Sequence, residues 1–459
     1  MIKKQSQPGL YDILLMLLML VTMLAVIIGR APYLHDFAEW LYQGQIVKNS
    51  VLDAASVEQF TMATYPVPNS LVTMLLAALS LIFSPLWAGK VFLILMLLGW
   101  FTVLRLFCSR FVDTQWRGAA SLVLFASTAL ATFFWYGFAS YQLALLLLTW
   151  FLAIYKTETA AHVIAVFGLA IFFAHAIIFL VFGLFLGVSL LLRWKKAVVI
   201  GLLPATACSL WFLAGRHFAQ VEPQKIDALW SGLREAMIYK AGYPAMLGPF
   251  KNFLLPDGTS LLEGQGWIYW PGLLVNFAVV AVLGTLIPVV LWKYFANKLP
   301  ENTQAPVLGK AWAITMVLII LFYLVAPYHF FGLVNASGRV LLPLLLLAFM
   351  LAGRQAIPFI RIVLWPVLLF SFITTGSYLY LMLQTRQAEF SPLATTAVKT
   401  LPSNSVLDFN DQLYTSTRYK YFNYRVFSMA RRFDQIESGK YHGLTLRNGM
   451  LIKYDPEVK

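Results

Sequence analysis

One pattern constrains this chain more than any other: apolar runs of about twenty residues alternate with short connectors rich in lysine and arginine. A run of that length spans the ~30 Å hydrocarbon of a bilayer as one helix, and a helix satisfies every backbone group internally where no water can. The first run, YDILLMLLMLVTMLAVIIG (11–29), follows Lys3 and Lys4 and has no small-residue cleavage site after it, so it reads as a retained first helix rather than a signal peptide. The connectors RLFCSR (105–110) with Arg117, YKTE (155–158), RWKK (193–196), KYFANK (293–298) with Lys310, and GRQAIPFIR (353–361) carry much of the positive charge. Connectors of that kind face the cytoplasm. Only 12% of residues are charged and 60% are hydrophobic, against about 25% charged in soluble domains. The net charge of +14 is therefore topological, and no nucleic-acid partner is expected.

These periods predict an all-α polytopic membrane protein of about eleven helices, near 11–29, 87–107, 118–134, 138–155, 161–174, 176–192, 197–215, 271–292, 311–327, 339–353 and 362–382. With the N-terminus cytoplasmic, residues 1–383 form the transmembrane domain, with outer loops 30–86 and 217–270. The apolar stretch NSLVTMLLAALSLIF (69–83) reads as an interfacial or re-entrant helix on the outer face, because counting it as a span inverts every later basic connector. The run 161–192 reads as two helices meeting at His175; one long tilted helix is the alternative. Residues 384–459 change in composition: SVLDF reads as a strand and GLTLRNGMLIKY as a hairpin about Asn448-Gly449, giving a small α+β extracytoplasmic appendage. Cys108 and Cys208 are placed too differently to pair, so no disulfide is expected.

The ionisable residues gather at the outer surface: His35, Asp36, Glu39, His175, Arg216, His217, His329 and Arg339. No Asp or Glu falls mid-span, and that distribution argues against proton-coupled transport, which places carboxylates within the membrane. Asp36 and Glu39 lie three apart, on one face of a helix, where two carboxylates serve as general base or share a divalent cation with His35. Simple polarity at the cap of a surface helix explains them equally well. Pro66 and Pro68 suit the first turn of the interfacial helix. Arg339 opens a late span, where an arginine either snorkels to headgroups or clamps a phosphate. Lys225, Arg234, Lys240 and Lys251 read as solvated loop charge.

In its order of features, the chain resembles the GT-C superfamily of polyprenyl-phosphate-sugar-dependent glycosyltransferases, nearest the protein O-mannosyltransferases and lipid A aminoarabinose transferases. Asp36 and Glu39 stand for the family's acidic cluster after the first helix, YPVPNSLV for its Tyr-Pro-Pro-Leu, FAHAI for its Lys-Gly apex, and RVLLPLLLL for its late Arg-x-x-Leu-Pro pattern. The resemblance implies a polyprenyl-phosphate-linked sugar donor, a lipid, glycan or protein acceptor, and an inverting displacement on the outer face of a bacterial inner membrane. It implies Asp36 as base with Glu39 beside it, and Arg339, His175, Arg216, His217 and His329 as donor-phosphate contacts. Whether a divalent metal on Asp36, Glu39 and His35 takes part stays open, since His-Asp-x-x-Glu replaces the family's adjacent Asp-Glu. The rival readings are an O-antigen ligase- or polymerase-like enzyme and a non-catalytic lipid-linked-sugar flippase or export subunit.

Overall fold

The computed structural model describes residues 9–29, 31–32, 34–156, 158–218, 247–253, 261–262, 264–295, 306–326, 329–330, 333–334, 338–387, 432–433, 436 and 451–454. It is about 82% helical. In chain order the principal helices are α1 (Leu10–Ile28), α2 (His35–Leu52), α3 (Leu71–Leu79), α4 (Pro85–Phe111), α5 (Arg117–Leu124), α6 (Thr132–Trp135), α7 (Ala139–Ile154), α8 (Ala161–Ala174), α9 (Ala176–Leu192), α10 (Lys196–Phe218), α11 (Gly266–Phe295), α12 (Pro306–Val325), α13 (Leu341–Ala352) and α14 (Ile357–Gln387). Short strands β1 (Phe60–Met62), β2 (His329–Phe330), β3 (Leu333–Val334) and β4 (Ile452–Tyr454) complete it.

Among the described residues, five helices are long and apolar enough to cross a membrane: Leu10–Ile28, Pro85–Phe111, Lys196–Gly215, Gly266–Trp292 and Ile357–Leu383. Shorter apolar helices stand beside them. The first span shows why the bundle belongs in a bilayer. Leu15, Leu18, Met19, Ala25 and Val26 are buried along one side of α1, while Leu10, Ile13, Leu17, Leu20, Leu24 and Ile27 line the other and stay exposed. A helix that is apolar on both sides needs a second apolar medium outside the protein. The chain is an all-α membrane protein by the length and composition of its helices.

Polar contacts fix which helix ends lie together. Asp12, at the start of α1, pairs with Arg105 near the end of α4. At the opposite end, buried Lys90 in the first turns of α4 donates to the carbonyl of Ile27 at 2.9 Å and to that of Gly29, the last carbonyls of α1. The ammonium thus meets the negative end of the helix dipole, and α1 and α4 run antiparallel. Arg110 donates to the carbonyls of Leu152, Ala153 and Tyr155 at the end of α7, and the Arg361 guanidinium sits 4.4 Å from the Trp116 ring. The basic connectors 105–117, 155–158, 193–196 and 353–361 gather at one end of the bundle. Lys195 belongs to the same end: burial and Arg193 push its ammonium pKa down, and Glu158 offsets part of the shift.

Antiparallel α1 and α4 agree with an even number of crossings between them, and α3 is too short to be one by itself. At nine residues and 1.5 Å per residue it extends only about 13 Å. The prolines before it do not form its first turn. Pro66 and Pro68 lie in the extended and turn backbone that precedes the N-cap Ser70.

Two further elements depart from simple spans. The expected helix 118–134 is interrupted after α5 by a π-turn, Phe125–Ala129, in which the Leu130 N–H donates to the Phe125 carbonyl at 2.9 Å. The Ser127 and Thr128 hydroxyls bond back to Val123 and Leu124, and Gln142 takes up the Thr128 carbonyl at 3.1 Å. Turns of this type concentrate at functional sites. The run 161–192 does break at His175, whose extended backbone ends α8 and precedes α9. The Ala176 N–H left over at the break donates 3.2 Å to the Asn69 side-chain oxygen. Asn69 itself sits at φ 68, a region that Asn tolerates better than most residues.

The expected strand SVLDF and residues 443–450 of the expected hairpin lie outside the described residues. The strand at 452–454 pairs antiparallel with β1 in the connection between α2 and α3, Thr61 opposite Lys453, and the Ala63 N–H extends the ladder to the Leu451 carbonyl at 2.8 Å. Phe433, Ile436 and Ile452 are buried in the same hydrophobic core as the helices.

Candidate functional site

The site is organised by a three-residue turn, Tyr136-Gly137-Phe138, between α6 and α7. The π-turn delivers the chain to it, and Trp135 holds its approach through an Nε1–H bond to the Leu130 carbonyl at 2.9 Å. Gly137 has φ +79 and lies so close to α2 that a Cβ there would stand 2.6 Å from the Phe37 nitrogen and 3.1 Å from the Asp36 nitrogen. Only glycine meets both demands. The approach lets the Asp36 N–H donate to the Tyr136 carbonyl at 2.9 Å, which satisfies one of the donors that open a helix. Asp36 is half-buried at the first turn of α2.

The other edge of the turn carries Arg339. The residue occupies a short 3-10 turn, Gly338–Val340, that leads into α13, and its carbonyl accepts the Tyr141 hydroxyl at 2.9 Å. The guanidinium carbon lies 5.2 Å from the Phe138 ring centroid, and Nη1 is 2.9 Å from the His175 Nε2. A guanidinium only donates, so Nε2 accepts and the imidazole proton resides on Nδ1. His175 is fully buried, with Tyr141 edge-on at 5.4 Å. Burial holds its pKa well below the ordinary 6.5, and the neighbouring Arg339 lowers it further. The ring is neutral at physiological pH. Its Nδ1–H has no hydrogen-bond partner among the described residues.

Glu39 is placed differently from Asp36. It is buried, and Oε2 accepts from Arg432 Nε at 2.6 Å while Oε1 accepts from Gln43 at 3.2 Å. The Arg432 guanidinium also stands 4.1 Å from the Tyr42 ring. Both carboxylate oxygens are thus engaged by protein groups, one of them from the far end of the chain.

The remaining candidates are located by backbone alone. His35 is the first residue of α2, Arg216 and His217 lie in the last turn of α10, and His329 pairs with Val334 in the hairpin before Arg339. The end of α10 is on the same side of the bundle as α3, for Gly215 abuts Tyr65 and the Phe212 ring lies 6.2 Å from it. Lys225, Arg234 and Lys240 lie outside the described residues. Among the described residues no three His, Cys, Asp or Glu side chains come together as metal ligands, and Glu39's oxygens already have partners. Glu39, with both oxygens engaged, does not present an open metal ligand.

The turn itself, Asn69, Lys90, Arg432 and Lys251 were not expected as parts of the site. For Asn69 and Gly137 a signal existed, since YPVPNS and WYGF are both turn-forming. For the cations none did. Comparison with known proteins finds no matching family model, no matching curated protein and no matching solved structure.

Proposed function

We propose that this chain is a membrane glycosyltransferase that moves a sugar from a polyprenyl-phosphate donor to the hydroxyl of a lipid, glycan or protein acceptor on the outer face of the membrane. The observation that carries the reading is the convergence of Asp36, Arg339 and His175, distant in sequence, on one turn at the end of the bundle away from the basic connectors. In this reading the helices make eleven passes, the N-terminus is cytoplasmic by the positive-inside rule, and the residues after α14 are extracytoplasmic on a bacterial inner membrane.

The reaction is a single displacement with inversion. The acceptor oxygen bonds to the anomeric carbon, its proton passes to the Asp36 carboxylate, and the carbon–oxygen bond to phosphate breaks with the electron pair leaving on polyprenyl phosphate. Arg339 neutralises that phosphate with a planar fork of donors. Neutral His175 accepts from the guanidinium and so holds it, and its buried Nδ1–H offers a further donor whose desolvation costs about 1–3 kcal/mol while unpaired. Glu39, tied to Arg432, positions α2 and hence Asp36. Arg216, His217 and His329 are the outlying candidates for donor contacts.

Native mass spectrometry of the detergent-purified protein, wild type beside Asp36→Asn, tests the reading. Polyprenyl phosphate on the wild type and its sugar-loaded form on the variant are expected. The absence of any polyprenyl lipid from both, or the same sugar-loaded lipid on both, would overturn it.

A further inference from the structure

Residues 247–253 of the second outer loop return to the bundle, and buried polar groups hold them there. Asn276, fully buried on α11, brackets Phe250: the Phe250 N–H donates to Oδ1 at 3.0 Å and the Phe250 carbonyl accepts from Nδ2 at 2.9 Å. The Thr132 hydroxyl reaches the Gly248 and Phe250 carbonyls at 3.4 and 3.3 Å, and the Lys251 N–H donates to Thr374 Oγ1 at 3.1 Å. A Cβ on Gly248 would stand 2.0 Å from Asn276 Oδ1, so the bracket requires glycine. Helices α6, α11 and α14 together clamp one lysine.

That lysine is half-buried, and its Nζ lies 3.9 Å from the centroid of the Tyr136 ring. Tyr136 in turn stacks on Phe138, with centroids 5.9 Å apart and planes 24° from parallel. Phe138 carries Arg339. Two neighbouring rings of one turn thus each hold a cation, and among the described residues no carboxylate pairs with Lys251. An aromatic face orients an ammonium but leaves its charge uncompensated. A partly desolvated cation held on the same aromatic turn as a guanidinium favours an anionic guest over any neutral one.

Resting on the proposed transferase reading, we infer that Lys251 is a second phosphate-binding cation of the lipid donor, held by the 247–253 bracket against Tyr136 while Arg339 is held against Phe138.

The probe is a C55 polyprenyl monophosphate, with the uncharged polyprenol of the same length as control, titrated onto the full-length protein in detergent and read by native mass spectrometry. Wild type is expected to retain the phosphate over the alcohol. Lys251→Met, which keeps the side chain's bulk, is expected to weaken phosphate binding at least tenfold and leave the alcohol unchanged. Lys251→Arg is expected to recover most of the loss, and thermal melts identify any variant that has not folded. If Lys251→Met binds phosphate like wild type while Arg339→Met is weakened, the inference about Lys251 fails and the transferase reading stands. If wild type itself does not favour phosphate over alcohol, both fail.

Discussion

Removing Arg432 tests the link between the far end of the chain and α2. Its ion pair with Glu39 is 2.6 Å long, with both side chains only 6% exposed. Truncation to alanine leaves a buried carboxylate with Gln43 as its remaining partner among the described residues and removes the cation from the Tyr42 face. Breaking a buried pair from one side costs about 3–5 kcal/mol, against about 0–1 kcal/mol for an exposed pair. The lost ring contact adds about 0.5–2 kcal/mol. Arg432→Ala is therefore expected to lower unfolding free energy by about 5 kcal/mol in a denaturing-detergent titration followed by tryptophan fluorescence. Replacing both partners by leucine removes the unpaired charge, so that double variant is expected to lie within about 1 kcal/mol of wild type. A loss below about 1 kcal/mol for Arg432→Ala would refute the argument. So would a double variant as unstable as the two singles combined, because the cost would then not arise from a stranded charge.

Gly137→Ala forces a side chain into left-handed backbone and against α2. It is expected to cost about 2 kcal/mol or more and to abolish turnover; a change within 0.5 kcal/mol in the same titration would contradict the close approach. The depressed pKa of His175 sets a pH dependence whose direction follows from proton uptake. Below the ordinary 6.5 the unfolded chain takes up a proton that the folded one refuses, so stability is full above that pH and falls as pH drops through 6.5 toward the folded value. The slope is at most about 1.4 kcal/mol per pH unit. His175→Gln is expected to flatten it, and an unchanged slope in that variant would assign the effect to another group.

The helices were legible because span length and connector charge are local properties. The break at His175 was readable for the same reason, since an apolar run from 161 to 192 exceeds one ordinary span. The π-turn at 125–129 was not, because FASTA carries no helix breaker; the turn is set by Gln142 and the hydroxyls of Ser127 and Thr128, which bond locally in many contexts. Asp36, His175 and Arg339 stood out as ionisable residues beside apolar runs. Their common turn did not, since Tyr136, Gly137 and Phe138 bear no charge. Lys251 read as loop charge because the bracket that draws it inward consists of asparagine, threonine and backbone groups, none of which marks a site in sequence. The Arg432–Glu39 pair joins residues nearly a whole chain apart, and no periodicity reports such a contact. The strand at Ile452–Tyr454 was anticipated, whereas its pairing with Phe60–Met62 depends on tertiary placement.

The pairing of Ile452 with Met62 also sets an order of events during synthesis. The ~390 residues between them take roughly 20–80 s to translate at about 5–20 residues per second. Throughout that interval β1 lacks its partner strand and Glu39 lacks its guanidinium. The nascent protein therefore holds every residue of α2 long before that helix reaches its final environment. A chain that ends within α14 carries α2 and β1 without the residues that pair with them, which gives quality-control proteases a means of distinguishing finished molecules from abandoned ones.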